Sequence, residues 1–290
     1  MTEQHGNTTD VDRAWQATVA VEENVRIARD TYRICFACPP IARRILPGQF
    51  VMLRVAGTND PLLGRALAMY DVVPGRDGEP QGLEIVYLVV GKMTALLATL
   101  TGGAHLDVWG PLGNGFPPTE TQHLVMVAGG IGQTPFRSLA REYLGLHAYG
   151  ERPRHVPRAR KVTFCYGARS AEYLAGVEDF ERCGIEVRLS TDDGSTGHHG
   201  LVTDLVRPVV EQSPLACRIV CCGPEPMMAA TAQIARELEL PCQVSLERPM
   251  ACGLGICFGC VAKIRDAQGD WDYRRTCTEG PVFEAEDVEF

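Results

Sequence analysis

The stretch His123-Leu-Val-Met-Val-Ala-Gly-Gly-Ile-Gly132 indicates the fold of the second half of this 290-residue chain. It joins an apolar run to a glycine turn, and a helical pattern follows through about Leu146. The same alternation continues downstream, where we predict strands at 161–166, 185–190 and 218–222 and a helix over 226–238. Strands that alternate with helices indicate a parallel, doubly wound α/β sheet.

The residues before this stretch follow a different pattern. Short β-rich runs, such as 49–55 and 83–90, are separated by Gly, Pro and Asp turns, which is typical of an antiparallel β-barrel. Turn residues crowd the segment 111–118, so we expect a domain boundary there. The predicted organisation is a polar tail at 1–14, a β-barrel domain at 15–117, an α/β domain at 118–244 and a small C-terminal domain at 245–290.

Composition excludes several classes of function. A formal net charge of -8 argues against a general nucleic-acid-binding protein, which needs a basic surface to displace counterions. No apolar run reaches the length of a membrane span, and the polar start lacks a secretory signal. We therefore expect a cytoplasmic protein whose targets are small molecules or a protein partner. In that compartment the 12 cysteines are not expected to form a disulfide framework.

Four of these cysteines form the strongest motif. Cys252, Cys257, Cys260 and Cys277 have the C-x4-C-x2-C…C spacing of plant-type [2Fe-2S] proteins. Gly253, Gly255 and Gly259 allow the sharp turns that a cluster-binding loop requires, and Leu254, Ile256 and Phe258 are expected to exclude water from it. A tetrahedral zinc site is the alternative, although zinc knots usually pair two C-x2-C motifs.

Two glycine turns predict a nucleotide site. Gly130 and Gly132 follow an apolar strand and precede a helix, where free N–H groups and the helix dipole favour a pyrophosphate. Pro135 stands in place of the third glycine of the usual dinucleotide fingerprint. A second turn, Cys222-Gly223-Pro224, also joins a strand to a helix. Both turns should meet at the carboxyl edge of the sheet, where a dinucleotide can bind.

The order of these parts resembles the ferredoxin reductase-like flavoproteins, and among them the electron-transfer subunits of dihydroorotate dehydrogenase B. The runs 47–54, 60–65, 86–88, 91–94, 110–116 and 277–283 resemble landmarks of that family. The resemblance implies an FAD-binding barrel, an NAD-binding α/β domain and a C-terminal [2Fe-2S] loop. It implies FAD contacts at Arg65, Ala66, Leu67, Ala68, Val86, Tyr87, Leu88, Met93 and Thr94, NAD contacts at Gly130, Gly132, Thr134, Cys222 and Gly223, and cluster ligation by the four cysteines.

The same resemblance implies a mechanism and a partner. FAD would exchange hydride with NAD and single electrons with the cluster, so that no side chain of this chain need act as a catalytic acid or base. An FMN-containing dihydroorotate dehydrogenase subunit would supply or receive the electrons, in a heterotetramer with two of each chain, in pyrimidine biosynthesis. Arg274 and Arg275 stand just before Cys277, where they could tune the cluster or face that partner, and ordinary surface cations are the alternative.

Two other functions remain open from the sequence. One is a flavin and iron–sulfur reductase subunit of a hydrogenase, a sulfide dehydrogenase or an NADPH:ferredoxin-type system. The other is a zinc-stabilised binding module without flavin, because Ala66, Ala68 and Met93 replace the family's proline, hydroxyl residue and glycine. Arg169 and Ser170, after the second strand, could hold the 2′-phosphate of NADPH, whereas the resemblance favours NAD.

Overall fold

The computed structural model describes residues 14–152, 154–266 and 268–290, so the predicted polar tail lies outside the described residues except for Ala14. The strands are β1 (Trp15–Ala28), β2 (Thr31–Ala37), β3 (Phe50–Val55), β4 (Arg65–Pro74), β5 (Pro80–Leu88), β6 (His105–Leu112), β7 (His123–Gly129), β8 (Lys161–Ala168), β9 (Glu186–Thr191), β10 (His198–His199), β11 (Cys217–Cys222), β12 (Cys242–Ser245), β13 (Val261–Arg265), β14 (Trp271–Arg275) and β15 (Val282–Glu284). The helices are α1 (Pro39–Ala42), α2 (Lys92–Leu97), α3 (Phe136–Tyr143), α4 (Val177–Glu181), α5 (Val206–Glu211) and α6 (Glu225–Glu237).

The first six strands close into an antiparallel barrel in the order β1-β2-β5-β4-β3-β6. Alternate residues of each strand point inward, as in β2, where Ile34 and Phe36 are fully buried. They share one core with Leu53, Leu83 and Leu106 from three other strands. The predicted antiparallel barrel is therefore confirmed.

The second half forms a seven-stranded sheet in the order β10-β9-β8-β7-β11-β12-β15. All neighbours in it are parallel except β12 and β15. Strand β7 is buried on both faces because helices and connections cover both sides of the sheet, which accounts for its continuous apolar run. The predicted parallel α/β sheet is confirmed, with helix α3 ending at Tyr143 rather than near Leu146.

The C-terminal segment is less separate than its sequence suggests. Strands β13 and β14 form a two-stranded sheet of their own, but β15 then returns and pairs with β12 at the edge of the large sheet. The predicted segment 245–290 thus contributes an edge strand to the preceding domain, and the exact domain boundaries stay predictions. Within the described ranges, no helix combines the length and apolar character needed to span a bilayer.

A buried ionic network joins the barrel to the sheet. Asp71 of β4 is 1% exposed and forms ion pairs with Arg137 and Arg141 of α3, the first at 2.9 Å. Its second oxygen accepts a hydrogen bond from the Tyr149 hydroxyl at 2.6 Å, and Arg137 also pairs with Glu84 of β5 at 3.0 Å. Two cations and a hydroxyl thus satisfy one buried carboxylate. This network fixes the barrel relative to the parallel sheet.

Candidate functional site

The segment between β12 and β13 carries three of the four predicted ligands, and we call its residues 249–260 the cluster loop. Gly253 in this loop has a φ of 72°, a left-handed conformation that glycine adopts without strain. A Cβ at Gly253 would lie 2.7 Å from Cγ of Met52, so only glycine lets the loop approach β3 this closely. The loop consequently lies directly against the wall of the barrel.

The four cysteines form two pairs. The Sγ atoms of Cys252 and Cys257 are 3.3 Å apart, and the side chains of Cys260 and Cys277 lie together in one buried cluster. Among the described residues, no three His, Cys, Asp or Glu side chains converge to hold one metal ion. A single zinc ion needs four ligands around one centre, whereas two linked irons take two thiolates each. The arrangement therefore fits a dinuclear cluster better than zinc.

The first and last cysteines of the motif, Cys252 and Cys277, differ in how readily their thiols ionise. Burial opposes ionisation of Cys252, but the N–H groups of Cys257 and Leu254 donate to its sulfur and lower its pKa to about 7. Burial, together with the neighbouring Cys260, raises the pKa of Cys277 to about 12. Binding of iron would therefore require loss of a tightly held proton at Cys277, whereas Cys252 would offer a thiolate near neutral pH.

A polar atom without a partner lies beside the same loop. The hydroxyl oxygen of Thr278 is buried and has no hydrogen-bond partner among the described residues. A Cβ at Gly255 would lie 2.8 Å from the Thr278 methyl group and 3.6 Å from its hydroxyl oxygen. Buried hydroxyl groups normally find a partner, and sulfur atoms of an iron–sulfur cluster accept hydrogen bonds. This orphaned donor is a second feature that fits a bound cluster.

The outer side of the loop is open. Arg275 donates from Nη1 to the carbonyl oxygen of Gly255 at 3.0 Å and stacks over the ring of Phe258. Phe258 is nevertheless 68% exposed and Ile256 is 78% exposed. The prediction that these two side chains exclude water was therefore wrong, because they extend outward from the loop, and only Leu254 is partly buried there. Cys257 thus lies between two exposed apolar side chains, those of Ile256 and Phe258.

The predicted flavin contacts on β4 lie between the barrel core and the cysteines. Leu67 points into the barrel core, whereas Ala66 lies opposite Met52 and packs against the apolar cluster that contains the buried Cys260 and Cys277. Arg65 is exposed at the start of the strand and donates from Nη1 to the carbonyl oxygen of Gly64 at 3.1 Å. The exposed guanidinium has further N–H groups at this edge that can pair with a phosphate. Ala68 follows on β4, opposite Phe50 of β3.

The predicted contacts on β5 face two ways. Tyr87 lies in the barrel core and its hydroxyl donates to Oδ1 of Asn24 at 3.0 Å, so only its backbone is left for a ligand. Val86 points out of the barrel into the core shared with the parallel sheet. Leu88 lines a cavity between the two domains. The sequence alternation did not show which of the three side chains pointed inward.

Met93 and Thr94 belong to the first turn of α2, and their side chains serve the fold. Met93 is 1% exposed in the barrel core. The Thr94 hydroxyl accepts hydrogen bonds from the N–H groups of Val90 and Gly91, at 3.0 and 3.1 Å, and thereby caps the helix. Both residues can therefore meet a ligand mainly through their backbone.

A cavity of about 540 Å³ lies at the carboxyl edge of the parallel sheet, against the barrel, and we call it the interdomain cavity. Gly130 and Gly223 line it, as predicted from the two glycine turns. Gly132, Thr134 and Cys222 lie beneath that lining and are buried. A Cβ at Gly132 would lie 2.2 Å from the carbonyl oxygen of Cys222, so this glycine permits the two turns to pack together.

Several residues of this cavity were not predicted from the sequence. They lie at the carboxyl ends of β8, β9 and β12 or in the segments that follow β10 and β11, and include Gly167, Asp192, Thr203, Met227 and Glu247. Arg169, considered earlier only for a 2′-phosphate, also lines the cavity and stacks on the ring of Tyr173. The carboxyl end of every parallel strand was the signal that could have found them.

Comparison with known proteins agrees with this arrangement. Residues 18–116 match an oxidoreductase FAD-binding domain, residues 126–233 an oxidoreductase NAD-binding domain, and residues 247–289 the iron-sulfur cluster binding domain of dihydroorotate dehydrogenase B. The predicted FAD-, NAD- and iron–sulfur-binding domains are thereby confirmed. The chain is an oxidoreductase subunit with these three cofactor-binding parts.

Relatives named dihydroorotate dehydrogenase B (NAD(+)), electron transfer subunit, match over almost their full length. That of Caldanaerobacter subterraneus is 34% identical, over 95% of this chain and 99% of the relative. That of Desulforamulus reducens is 36% identical, over 89% and 92%. A solved structure of an NADH-dependent reduced ferredoxin-NADP oxidoreductase is 27% identical with a TM-score of 0.77, over 94% of this chain and 90% of that one. The chain belongs to the family of dihydroorotate dehydrogenase B electron transfer subunits.

Proposed function

We propose that this chain is the electron-transfer subunit of an NAD-dependent dihydroorotate dehydrogenase in pyrimidine biosynthesis. The observation that carries the proposal is the position of the predicted flavin strands between two sites. Ala66 of β4 packs against the apolar cluster that contains Cys260 and Cys277, and Leu88 of β5 lines the interdomain cavity. A flavin bound along these strands would therefore contact both the cluster side and the nicotinamide side of the molecule.

We further propose the cofactor contacts of this subunit. FAD would be held by Arg65, Ala66, Leu67, Ala68, Val86, Tyr87, Leu88, Met93 and Thr94, NAD by Gly130, Gly132, Thr134, Cys222 and Gly223, and a [2Fe-2S] cluster by Cys252, Cys257, Cys260 and Cys277. Side chains would act in few of these contacts, since Tyr87, Met93 and Thr94 direct theirs into the fold. The proposed domain boundaries are those at residues 117 and 244.

The chemistry belongs to the bound groups, because FAD when bound can take two electrons from NADH as hydride and release them singly to a cluster. This chain orients the groups and excludes water between them. Phe50, Met52 and Leu112 form the apolar layer beside Cys260 and Cys277, and the barrel and sheet are fixed by the network around Asp71. No side chain has to act as a general acid or base for hydride transfer.

The partner in this proposal is an FMN-containing catalytic subunit that oxidises dihydroorotate, in a cytoplasmic heterotetramer with two of each chain. The names of the relatives, which are electron transfer subunits, imply a catalytic partner. Exposed Ile256 and Phe258 flank Cys257 and offer an apolar surface close to the proposed cluster. Electrons would enter or leave the chain on this side.

A second candidate is a flavin and iron–sulfur reductase subunit of another electron-transfer complex. The solved NADH-dependent reduced ferredoxin-NADP oxidoreductase favours it, because the similarity extends over 94% of this chain. The two candidates differ only in the partner, since both use the same bound groups. Co-purification therefore separates them better than any property of the isolated chain.

The test is anaerobic purification of the tagged chain from its native host, followed by absorption spectroscopy, metal analysis and assay of any co-purified chain. We expect flavin bands, about two irons per chain and NAD-dependent oxidation of dihydroorotate by the complex. Zinc without visible absorbance would contradict the cofactor proposal. Flavin and iron in a complex that reduces ferredoxin, without dihydroorotate oxidation, would favour the second candidate.

A further inference from the structure

The order of strands in the sheet indicates how a dinucleotide would be oriented in the interdomain cavity. In doubly wound sheets the pyrophosphate lies at the first strand-to-helix turn and the adenosine ribose beyond the end of the second strand. These positions correspond here to Gly130 after β7 and to Arg169 after β8. The nicotinamide half must then extend to the other side of β7, above β11 and β12. Gly223 and Glu247 line that side.

Glu247 is the charged residue at that end. Of the described residues that line the cavity, three are charged, and the other two, Arg169 and Asp192, lie above β8 and β9. The Glu247 side chain is exposed to the cavity that it lines, and the surrounding protein raises the pKa of its carboxyl group by desolvation. Within residues 14–152, 154–266 and 268–290 it has no hydrogen bond or ion pair.

The nearest cation in sequence does not neutralise Glu247. Arg248 points away and pairs with Glu225 at 2.7 Å. The negative charge of Glu247 also contributes to the raised pKa of the neighbouring Cys222 thiol, although burial is the main cause. A carboxylate without a counterion is stabilised when a cation enters its surroundings.

We infer that Glu247 is a positioning residue that selects the charge state of the nicotinamide ring and favours oxidised NAD⁺ over NADH. This inference rests on the proposed NAD-linked function. The two forms of the cofactor share the adenosine and pyrophosphate groups and differ by one positive charge on the nicotinamide ring. An unpaired carboxylate at the nicotinamide end of the cavity attracts only the oxidised ring. Neither glycine turn can make this distinction, because both turns present uncharged backbone.

The consequence concerns the balance between the two directions of electron flow. A carboxylate that stabilises NAD⁺ in the cavity makes bound NADH a stronger hydride donor and bound NAD⁺ a weaker acceptor. Removing the charge of Glu247 should therefore weaken binding of NAD⁺ but leave the affinity for a cofactor with a neutral nicotinamide ring nearly unchanged. The Glu247→Gln variant removes the charge at nearly constant volume, and the Glu247→Asp variant keeps it.

The test is calorimetric titration of the flavin- and cluster-loaded chain with NAD⁺ and with 1,4,5,6-tetrahydro-NAD, a neutral-ring analogue that cannot donate hydride. We expect Glu247→Gln to weaken NAD⁺ binding roughly three- to tenfold, as for one partly screened charge pair, and to leave the analogue nearly unchanged. Glu247→Asp should keep most of the preference. Unchanged flavin absorbance verifies that each variant is folded.

Asp192→Asn is the matched control, because Asp192 is a second carboxylate in the same cavity at its adenosine end. It should change both Kd values by the same factor. Equal effects of Glu247→Gln on the two ligands, or no effect, would overturn the inference while leaving the proposed function intact. Failure of the unaltered, cofactor-loaded chain to bind either ligand would instead overturn the proposed function itself.

Discussion

Trp109 donates a hydrogen bond from its indole Nε1 to the carbonyl oxygen of Cys252, at 3.0 Å. This bond links β6, the last strand of the barrel, to the first cysteine of the cluster loop. The indole also packs beside Met52, against which Gly253 lies. The barrel wall therefore holds the loop in place on one side, while the other side is open to solvent.

Trp109→Phe removes the donor and keeps an aromatic ring at the same position. The lost bond should cost about 1 kcal/mol locally, and the loosened loop should release its cluster faster. We expect faster bleaching of the visible absorption when a chelator is added, with an unchanged flavin content. Trp15→Phe is the control, because Trp15 is 48% exposed at the start of β1. Equal bleaching rates in both variants would contradict this role of Trp109.

Thr278→Val tests the orphaned hydroxyl beside the cluster loop. If the hydroxyl donates to a cluster sulfur, its loss should lower the reduction potential, because that bond favours the more negative reduced state. A bond of about 1 kcal/mol corresponds to roughly 40 mV for one electron. A potentiometric titration, monitored by electron paramagnetic resonance, would measure this shift in reduction potential. Thr278→Ser should restore the potential, and a Val variant with the original potential would show that the hydroxyl does not reach the cluster.

Much of this fold follows from local sequence patterns. The apolar run of β7, its glycine turn and the strands and helices that alternate after it predicted a parallel sheet. The four cysteines were predicted from spacing alone, since three of them lie within one short loop. Spacing could not show that they separate into two pairs, because that depends on how Cys277 packs from a distant segment.

Other features depend on contacts between distant segments. Strand β15 has three residues, too few for a periodic signal, and it forms only because β12 offers an open edge. Alternation along a strand places the Tyr87 side chain on the opposite face of β5 from those of Val86 and Leu88. Only closure of the barrel decides which of these two faces is inside. Glu247 has no motif around it, and its position became visible only when the ends of β11 and β12 came together.

Asp71→Asn should strongly destabilise the protein. The substitution leaves Arg137 and Arg141 near each other at the interface without the anion that they share. Breaking a buried ion pair by removing one partner typically costs about 3–5 kcal/mol. Urea unfolding at neutral pH would measure the loss, and Asp77→Asn in the exposed β4–β5 turn is the control. A loss below about 1 kcal/mol, the range of exposed ion pairs, would mean that the network does not hold the two domains together.

His123 at the start of β7 predicts a specific dependence of stability on pH. Its ring is fully buried, with Nδ1 2.8 Å from the Ser213 hydroxyl and Nε2 2.8 Å from the Thr163 hydroxyl. Burial, with a smaller contribution from the charge of Lys161, lowers its pKa to about 4 from the usual 6.5. The folded state therefore keeps the ring neutral at pH values where the unfolded chain takes up a proton.

Because the folded pKa is below the unfolded pKa, this contribution to stability is complete above pH 6.5 and decreases as the pH falls toward 4. Between pH 7.5 and pH 5 the loss should be about 2 kcal/mol. His123→Gln cannot take up this proton, so its free energy of unfolding should fall less over the same interval, even if it starts lower. His105→Gln, an exposed position on β6, should behave like the unaltered protein. Urea unfolding of the three proteins at both pH values measures these losses. Groups that titrate in all three proteins contribute equally to each loss and cancel when the losses are compared. Parallel losses in all three would show that His123 does not titrate differently in the fold.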